Sequence, residues 1–419
     1  MKKKLRVFET FSGIGAQAKS LELIKEKLGY DFEIVATSEW DIYAVVAYAY
    51  IHNLDKTHQF NNDIWNTFVN SYDLSLSGKT PATKQQLNKL SYDTKQKVYS
   101  AFKETNNLGS ILKIKGDDIV KIGGIDLLTY SFPCQDLSVA GSFHGFNQGM
   151  AKGSGTRSGL LWEIERILFE LNELQNKTKN EYLPKFLLLE NVKNMLSSRH
   201  KDQYNLWLKQ LKSLGYSTRT FVLNTNKYGS PQHRERVYAL SILNYDGLTD
   251  ENGEIIDINE PELIKEIGTQ SLKDIIKEDY SNPIYKEEAI QSCPNRTPSR
   301  LRMYEQNYKL NDYKKYKYSR TVTTKQDRHP NAGVISLNEK LFDTKLQRNT
   351  LNKANYRFLT PRETYLLMGF EEQDFEKVLN SNVVKKEKLY QQAGNSINVK
   401  TIAPIMLLIQ KYFNNEPIK

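Results

Sequence analysis

Apolar positions along this chain fall into short alternating runs separated by longer stretches of helical spacing. Leu5-Arg6-Val7-Phe8-Glu9-Thr10-Phe11 alternates as a strand does and breaks at Ser12-Gly13-Ile14-Gly15. A helix is expected from Ala16 to Lys27, then a second strand, Phe32 to Ser38, ending in Glu39. Further strands are expected at Ile125 to Tyr130, Phe186 to Leu189, Ser217 to Leu223 and Val237 to Ile242. Helices are expected between them at Leu160 to Asn176 and Gln203 to Leu214. Strands alternating with helices predict an α/β fold, a doubly wound and mostly parallel sheet.

Two regions break this rhythm. Asn53 to about Lys115 is polar, rich in Lys, Asn, Thr and Ser, and reads as an insertion carrying some helix. From Asn244 to Asn355 long apolar runs are scarce and Tyr and Lys are frequent. Periodicity resumes where Thr360 caps a helix with Pro361 and Glu363 in its first turn. A last apolar helix, Val399 to Phe413, follows.

Length and charge narrow the possibilities. The 419 residues suggest two or three domains at roughly 150 residues each. No apolar run approaches the ~18 residues of a membrane span. Met1-Lys2-Lys3-Lys4 is basic, but the apolar stretch behind it is too short for a signal peptide, so a cytoplasmic protein is expected. Only two cysteines occur, Cys134 and Cys293, too few for a disulfide framework or a zinc site. A net charge of +10 favours a polyanionic partner, the alternative being a basic surface that binds nothing.

Four motifs carry candidate chemistry. Phe11 to Gly15 would let backbone approach a cofactor, and Glu39 could accept hydrogen bonds from a ribose; a dehydrogenase or a tight structural turn would look similar. Ser131-Phe132-Pro133-Cys134 follows an apolar strand, which places a cysteine where ligands and catalytic groups sit in such folds. A structural cysteine would more often lie within the strand. Glu190-Asn191-Val192 ends another strand; a desolvated carboxyl there could donate a proton, or simply cap the next segment. In Gln232-His233-Arg234-Glu235-Arg236, alternation puts Gln232, Arg234 and Arg236 on one face, suited to phosphates or a base oxygen, or to a solvated strand edge.

Taken in order, these blocks resemble the cytosine-5 DNA methyltransferase family. The cofactor turn is similar at Phe11, Gly13 and Gly15, and the ribose acid at Glu39 with Trp40. The third cofactor contact resembles Asp118-Ile119, with Asn62-Asp63-Ile64 set aside as lying too far upstream. Pro133-Cys134, Arg157 to Leu160, Glu190-Asn191-Val192 and Gln232 to Arg236 match further blocks. Arg357 with Pro361-Arg362-Glu363 resembles the ninth block and Gly394-Asn395-Ser396 the tenth, which in this family folds back beside the first. The stretches 127–138 and 153–166 look most like bacterial CpG-specific members. Ala16 stands where many members carry a third glycine, and Ala140 where relatives often carry a polar residue that fills the gap left by a flipped base.

The resemblance implies S-adenosylmethionine as cofactor, S-adenosylhomocysteine as product, and no metal. Cys134 would attack carbon 6 of a flipped cytosine, Glu190 would meet ring nitrogen 3, Arg236 the carbonyl oxygen and Arg234 a phosphate, with Pro133 and Asn191 shaping the loop. Phe11, Gly13, Gly15, Glu39, Trp40, Asp118, Ile119, Leu160, Asn395 and Ser396 would hold the cofactor. Residues 1–243 would form the catalytic domain, with 53–115 as its insertion; 244–355 would be a smaller target-recognition domain, and 356–419 would return to the first. In the recognition domain Arg296, Arg300, Arg302, Lys314, Lys315, Lys317, Arg320 and Thr323, interleaved with tyrosines, suit a nucleic-acid groove, joined by Ser138 and Gln232. Double-stranded DNA is the expected partner of a monomer, with a cognate restriction endonuclease at the same site in a restriction-modification setting. An RNA cytosine methyltransferase, a non-catalytic DNA-binding relative and a nucleotide-dependent oxidoreductase are the rivals.

Overall fold

Apolar strands whose side chains are buried on both faces need helices on both sides, and this chain supplies them. The structure, a computed structural model, describes residues 3–133, 137, 158–337 and 352–414. It divides into two compact units. The first comprises Met1–Leu223, Glu235–Glu262 and Ile402–Lys419; the second comprises Asn224–Arg234 and Leu263–Thr401.

The first unit opens with β1 (Lys4–Thr10), α1 (Ala16–Leu23), β2 (Asp31–Ser38) and α2 (Ile42–Ile51). The expected helix to Lys27 ends at Leu23 and gives way to a 3-10 turn, Lys25–Lys27, none of whose residues is buried. The polar insertion forms α3 (Asn62–Ser71), α4 (Lys84–Asn88) and α5 (Tyr92–Glu104). It is not held by polarity: Phe60, Trp65, Phe68, Tyr99 and Phe102 pack ring against ring, with Phe68 and Phe102 centroids 5.0 Å apart. Next come α6 (Gly116–Lys121), β3 (Leu127–Tyr130), α7 (Leu161–Thr178), β4 (Phe186–Val192), α8 (Lys201–Ser213), β5 (Tyr216–Asn224) and β6 (Glu235–Leu243).

The six strands form one sheet in the order β2-β1-β3-β4-β6-β5. β1 pairs in parallel with β2 and β3, and β3 with β4, whereas β4 and β6 are antiparallel. This is the mostly parallel α/β sheet expected. α7 buries Leu161, Ile164, Ile167, Leu168 and Leu171 at helical spacing in the core that also holds Phe8, Leu128 and Leu187. Trp207 of α8 donates its indole N–H to the Tyr130 hydroxyl at 3.2 Å inside that core, which gives the buried polar groups partners.

The register aligns the strand ends. Thr10 pairs with Ser38 and with Tyr130, and Tyr130 pairs with Leu189. Glu39, Phe11 and Ser131 therefore follow one another just past the ends of β2, β1 and β3, level with Glu190, which lies within β4 near its carboxyl end. At this edge the connection from β1 leads to β2 and that from β3 leads to β4, in opposite directions, and such a switch point is where ligands bind in open α/β sheets.

In the second unit, α9 (Leu272–Ile275), α10 (Pro283–Gln291) and α11 (Pro298–Gln306) precede the hairpin pair β7 (Val334–Ser336) and β8 (Tyr356–Phe358). α12 (Pro361–Leu367), α13 (Glu372–Asn380) and α14 (Lys386–Asn395) follow. Thr360 caps α12 as expected, with Pro361 in the first turn and a reciprocal bond to Glu363. Arg357 and Glu363 form a fully buried ion pair at 2.8 Å. The closing helix, Val399–Asn414, carries the chain back into the first unit's sequence.

Candidate active site

Past the ends of β1 and β2 the backbone folds into a cradle. Ser12 N–H donates to the Ser38 carbonyl at 3.2 Å, and Gly13 N–H donates to Glu39 Oε2 at 3.2 Å. Glu39 Oε1 accepts from the N–H groups of Trp40 and Asp41, each at 2.8 Å. Burial pushes the Glu39 carboxyl up to about 7, against the pull of these backbone donors. Gly13 has φ +53°, and the nearest atom to the place a Cβ would occupy is the Phe11 carbonyl oxygen, 4.0 Å away. Gly15 has φ +81°, and a Cβ there would run into the rings of His52 and Tyr48. Only glycine meets both conditions without strain. Bare backbone at Gly13 and an acceptor carboxylate beyond the second strand fit the adenosyl and ribose groups that the family resemblance implies.

The residues expected as the third cofactor contact have other partners. Asp118 sits in α6, where its carboxylate accepts from Lys115 N–H at 3.0 Å and pairs with Lys121 at 3.2 Å. Ile119 is core. The segment beside Glu39 is Asn107 to Ile111 instead. Asn107 Oδ1 accepts from the N–H groups of Glu39 (3.3 Å) and Gly109 (2.7 Å), and the Ser38 hydroxyl donates to the Gly109 carbonyl at 2.8 Å. Its signal in the sequence is a glycine beside small polar residues, Asn107-Leu108-Gly109-Ser110, which the nearer Gly-Asp-Asp-Ile run obscured.

On the β3 side, the Pro133 loop is tied at three points. Asn191 Nδ2 donates to the Phe132 carbonyl at 3.1 Å, Ser158 Oγ to the Pro133 carbonyl at 2.8 Å, and Asn194 Nδ2 to the Leu137 carbonyl at 2.6 Å. Asn191 was expected in this role; Asn194 and Ser158 are additions. Cys134 and Ser138 lie outside the described residues. Leu160 packs on the sheet core at the start of α7.

β6 runs antiparallel to β4, so Arg236 comes back beside Glu190. Arg236 Nε stands 3.3 Å from Glu190 Oε1, both side chains largely buried. A carboxyl and a guanidinium thus face one another in the row that also holds the Pro133 loop.

Gln232 and Arg234 do not join them. Both precede β6 and are buried in the second unit. Arg234 Nη1 donates to the Val322 carbonyl at 3.1 Å, and Nη2 to the carbonyls of Ser396 (2.8 Å) and Gly394 (3.3 Å). A buried guanidinium needs such acceptors, so Arg234 fastens backbone segments here rather than meeting a phosphate. Gln232 bridges the Leu367 carbonyl and Val322 N–H, at 3.0 and 3.1 Å, which removes it from any surface role. Asn395 and Ser396 end α14 in this same unit.

Among the expected recognition residues, Arg296, Arg302, Lys314, Lys315 and Lys317 are exposed. Arg300, Arg320 and Thr323 are half-buried. Arg320 lies over the Tyr308 ring at 4.4 Å and donates to Asn307 Oδ1 at 2.6 Å, while Tyr308 stacks on Tyr316 at 4.5 Å. Arg300 is bound to the Arg328 carbonyl at 2.7 Å. No described helix is long and apolar enough to cross a membrane.

Comparison with known proteins adds independent weight. The C-5 cytosine-specific DNA methylase family matches residues 73–411. The orphan methyltransferase M.SssI of Spiroplasma monobiae is 33% identical over 415 residues, covering 96% of this chain and 97% of that protein. The type II methyltransferase M2.ScrFI of Lactococcus lactis subsp. cremoris is 33% identical over 404 residues, covering 95% and 97%. Among solved structures, the S. pombe Dnmt2 methyltransferase shares the fold with a TM-score of 0.58 at 19% identity, covering 98% of this chain and all of that one.

Proposed function

The chain belongs to the C-5 cytosine-specific DNA methylase family, and on that premise we propose that Cys134 is its nucleophile, with Glu190 and Arg236 as the groups that hold the base. The enzyme methylates carbon 5 of cytosine in DNA with S-adenosylmethionine. The observation that supports these site assignments is the Glu190–Arg236 pair, set by register beside a loop that Asn191, Asn194 and Ser158 tie down.

Carbon 5 of cytosine is too electron-poor to attack a methyl group. A Cys134 thiolate adding to carbon 6 pushes its electron pair into the ring and makes carbon 5 nucleophilic. Glu190 gives a proton or hydrogen bond to ring nitrogen 3, and Arg236 holds the carbonyl oxygen, so the charge pushed into the ring is offset as it forms. S-adenosylmethionine, when bound, supplies an electrophilic methyl group on a sulfonium. Loss of the carbon 5 proton then expels the Cys134 thiolate and restores the aromatic ring. A stacked base cannot be reached, so the cytosine leaves the duplex at a cost of a few kcal/mol. Phe11, Gly13, Gly15, Glu39 and Trp40 would hold the cofactor, with Asn107 to Ser110 taking the place expected of Asp118.

Residues 244–355 would form the surface that selects the target. Exposed Lys314, Lys315 and Lys317 would meet phosphates, and Arg296 and Arg302 base edges. We extend the proposal to a monomer acting in the bacterial cytoplasm, marking sites that a cognate endonuclease would otherwise cut; the type II relative gives that extension its support.

Two measurements test this reading. Bisulfite sequencing of plasmid DNA from cells expressing the protein should show protected cytosines in one recurring sequence, and random or absent protection would count against it. Glu190→Gln keeps a hydrogen-bond donor but cannot transfer a proton. It should slow methyl transfer by about 10²–10³-fold at unchanged duplex affinity. A rate within a few-fold of the parent would remove Glu190 from the chemistry.

A further inference from the structure

Beneath the glycine turn lies a side chain that the chemistry above does not use. His52 caps the end of α2, and its ring is almost wholly buried. Both ring nitrogens meet oxygen atoms. Nε2 is 3.1 Å from the Gly15 carbonyl oxygen, and Nδ1 is 2.6 Å from Glu22 Oε1 on α1. A backbone carbonyl can only accept a hydrogen bond, and so can an ionised carboxylate, while a neutral imidazole carries a single N–H. Both contacts are hydrogen bonds only if the trio holds one proton more than a neutral imidazole beside a carboxylate.

We propose that His52, as an imidazolium braced by Glu22, is a positioning residue that clamps the cofactor turn through the Gly15 carbonyl, so that S-adenosylmethionine binding depends on that proton. The inference rests on the assignment of the Phe11 to Gly15 turn to the cofactor. The Gly15 carbonyl also accepts from Lys19 N–H at 2.9 Å, so α1 and α2 fasten the same oxygen. The fit is close, because His52 and Tyr48 fill the space a side chain at position 15 would need. The other groups around the ring are Lys19, 4.0 Å from Glu22 on α1, and Glu9 on β1, which is buried and accepts from the Tyr48 hydroxyl at 2.6 Å. Tyr48 itself packs on the imidazole at 4.6 Å between centroids. Among the described residues, two carboxyl groups and one ammonium therefore surround the ring.

The sign follows from which state holds the clamp. The protonated trio holds the turn, so this contribution tightens cofactor binding at low pH and is lost as pH rises. Glu39 works the other way, since its carboxyl, pushed up to about 7, accepts from a ribose more strongly when ionised. The cofactor's own amino group titrates as well. A difference measurement separates the three. In Glu22→Gln the new amide N–H can donate to Nδ1, and a neutral imidazole with its proton on Nε2 then satisfies both contacts.

Calorimetry of S-adenosylmethionine binding between pH 6 and 8.5 is expected to show the parent losing about tenfold more affinity with rising pH than Glu22→Gln, the size of one charge-assisted hydrogen bond. Nitrogen NMR of the histidines in the cofactor-free protein should show both His52 nitrogens protonated at pH 6 in the parent. Glu22→Gln should show Nε2 alone protonated once the pH is raised. Superimposable pH profiles for the two proteins, or a neutral His52 in the parent at pH 6, would overturn the proposal. Absence of cofactor binding at every pH in both proteins would strike the assignment of the turn instead, and the NMR result would still decide the state of His52.

Discussion

Cys134→Ser is expected to lower methyl transfer by at least about three orders of magnitude while leaving duplex affinity within about twofold. A serine hydroxyl keeps the size and hydrogen-bonding character of the site but is almost never ionised near neutral pH, whereas a thiol is readily ionised. The attack on carbon 6 needs the anion, so the loss falls on chemistry rather than on binding. The carbonyls of Phe132, Pro133 and Leu137, tied by Asn191, Ser158 and Asn194, flank the nucleophile's position, and none of these ties involves the side chain at 134. The variant should therefore fold as the parent does. A duplex carrying 5-fluorocytosine at the target should trap the parent covalently, because fluorine cannot leave carbon 5 as a proton does, and should release Cys134→Ser unmodified. A Cys134→Ser enzyme that retained a tenth of the parent rate, or formed the trapped adduct, would exclude the assignment.

Arg357→Met is expected to destabilise the second unit by about 3–5 kcal/mol. The Arg357 guanidinium grips both Glu363 oxygens at 2.8 Å, and neither side chain has any exposure. Its remaining donors go to the Tyr280 hydroxyl and to the carbonyls of Phe358 and Lys277. Glu363 in turn accepts from the N–H groups of Lys277 and Thr360 at 2.8 and 2.7 Å. Take away the arginine and a buried carboxylate is left with two backbone donors, a large uncompensated desolvation cost. In Arg357→Met/Glu363→Gln the second change removes that charge yet keeps an acceptor for the cap, so more than half of the loss should return. Hydrogen exchange over residues 356–367 reads the effect directly. A single variant whose protection falls by less than about 1 kcal/mol would show that the pair is not a keystone of this unit.

What could be read from sequence, and what could not, divides along a physical line. The glycine turn, Pro133 and Glu190-Asn191-Val192 each interrupt an apolar run at its end, and a parallel sheet brings such ends together whatever the rest of the chain does. The segment beside Glu39 had no such marker. Asp118-Ile119 and Asn107 to Ile111 both precede Ile125, and only the pairing of Thr37 with Asn107 across space places the latter beside Glu39. Alternation put Gln232, Arg234 and Arg236 on one face, though Arg236 pairs with Glu190 instead, and could not say whether the face of the first two meets solvent or protein. Here it meets carbonyls of the second unit. The insertion misled by composition, because its aromatic residues are spaced so widely that polar neighbours hide them, although Trp65, Phe68 and Phe102 are all buried.

The row from Glu39 through Phe11 and Ser131 to Glu190 sits on four hydrogen-bonded strands about 4.8 Å apart, so a rigid ruler ~14 Å long separates Glu39 from Glu190. Its graduations are whole residues. A slip of one residue between β3 and β4 would turn Glu190 to the opposite face of the sheet, and no half-step exists. Errors in aligning donor with acceptor are therefore digital at the level of the strands, and a misregistered molecule is a dead one. Gradual tuning of the rate is left to the residues beyond the edge, whose side chains can shift by fractions of an ångström while the scale beneath them stays fixed.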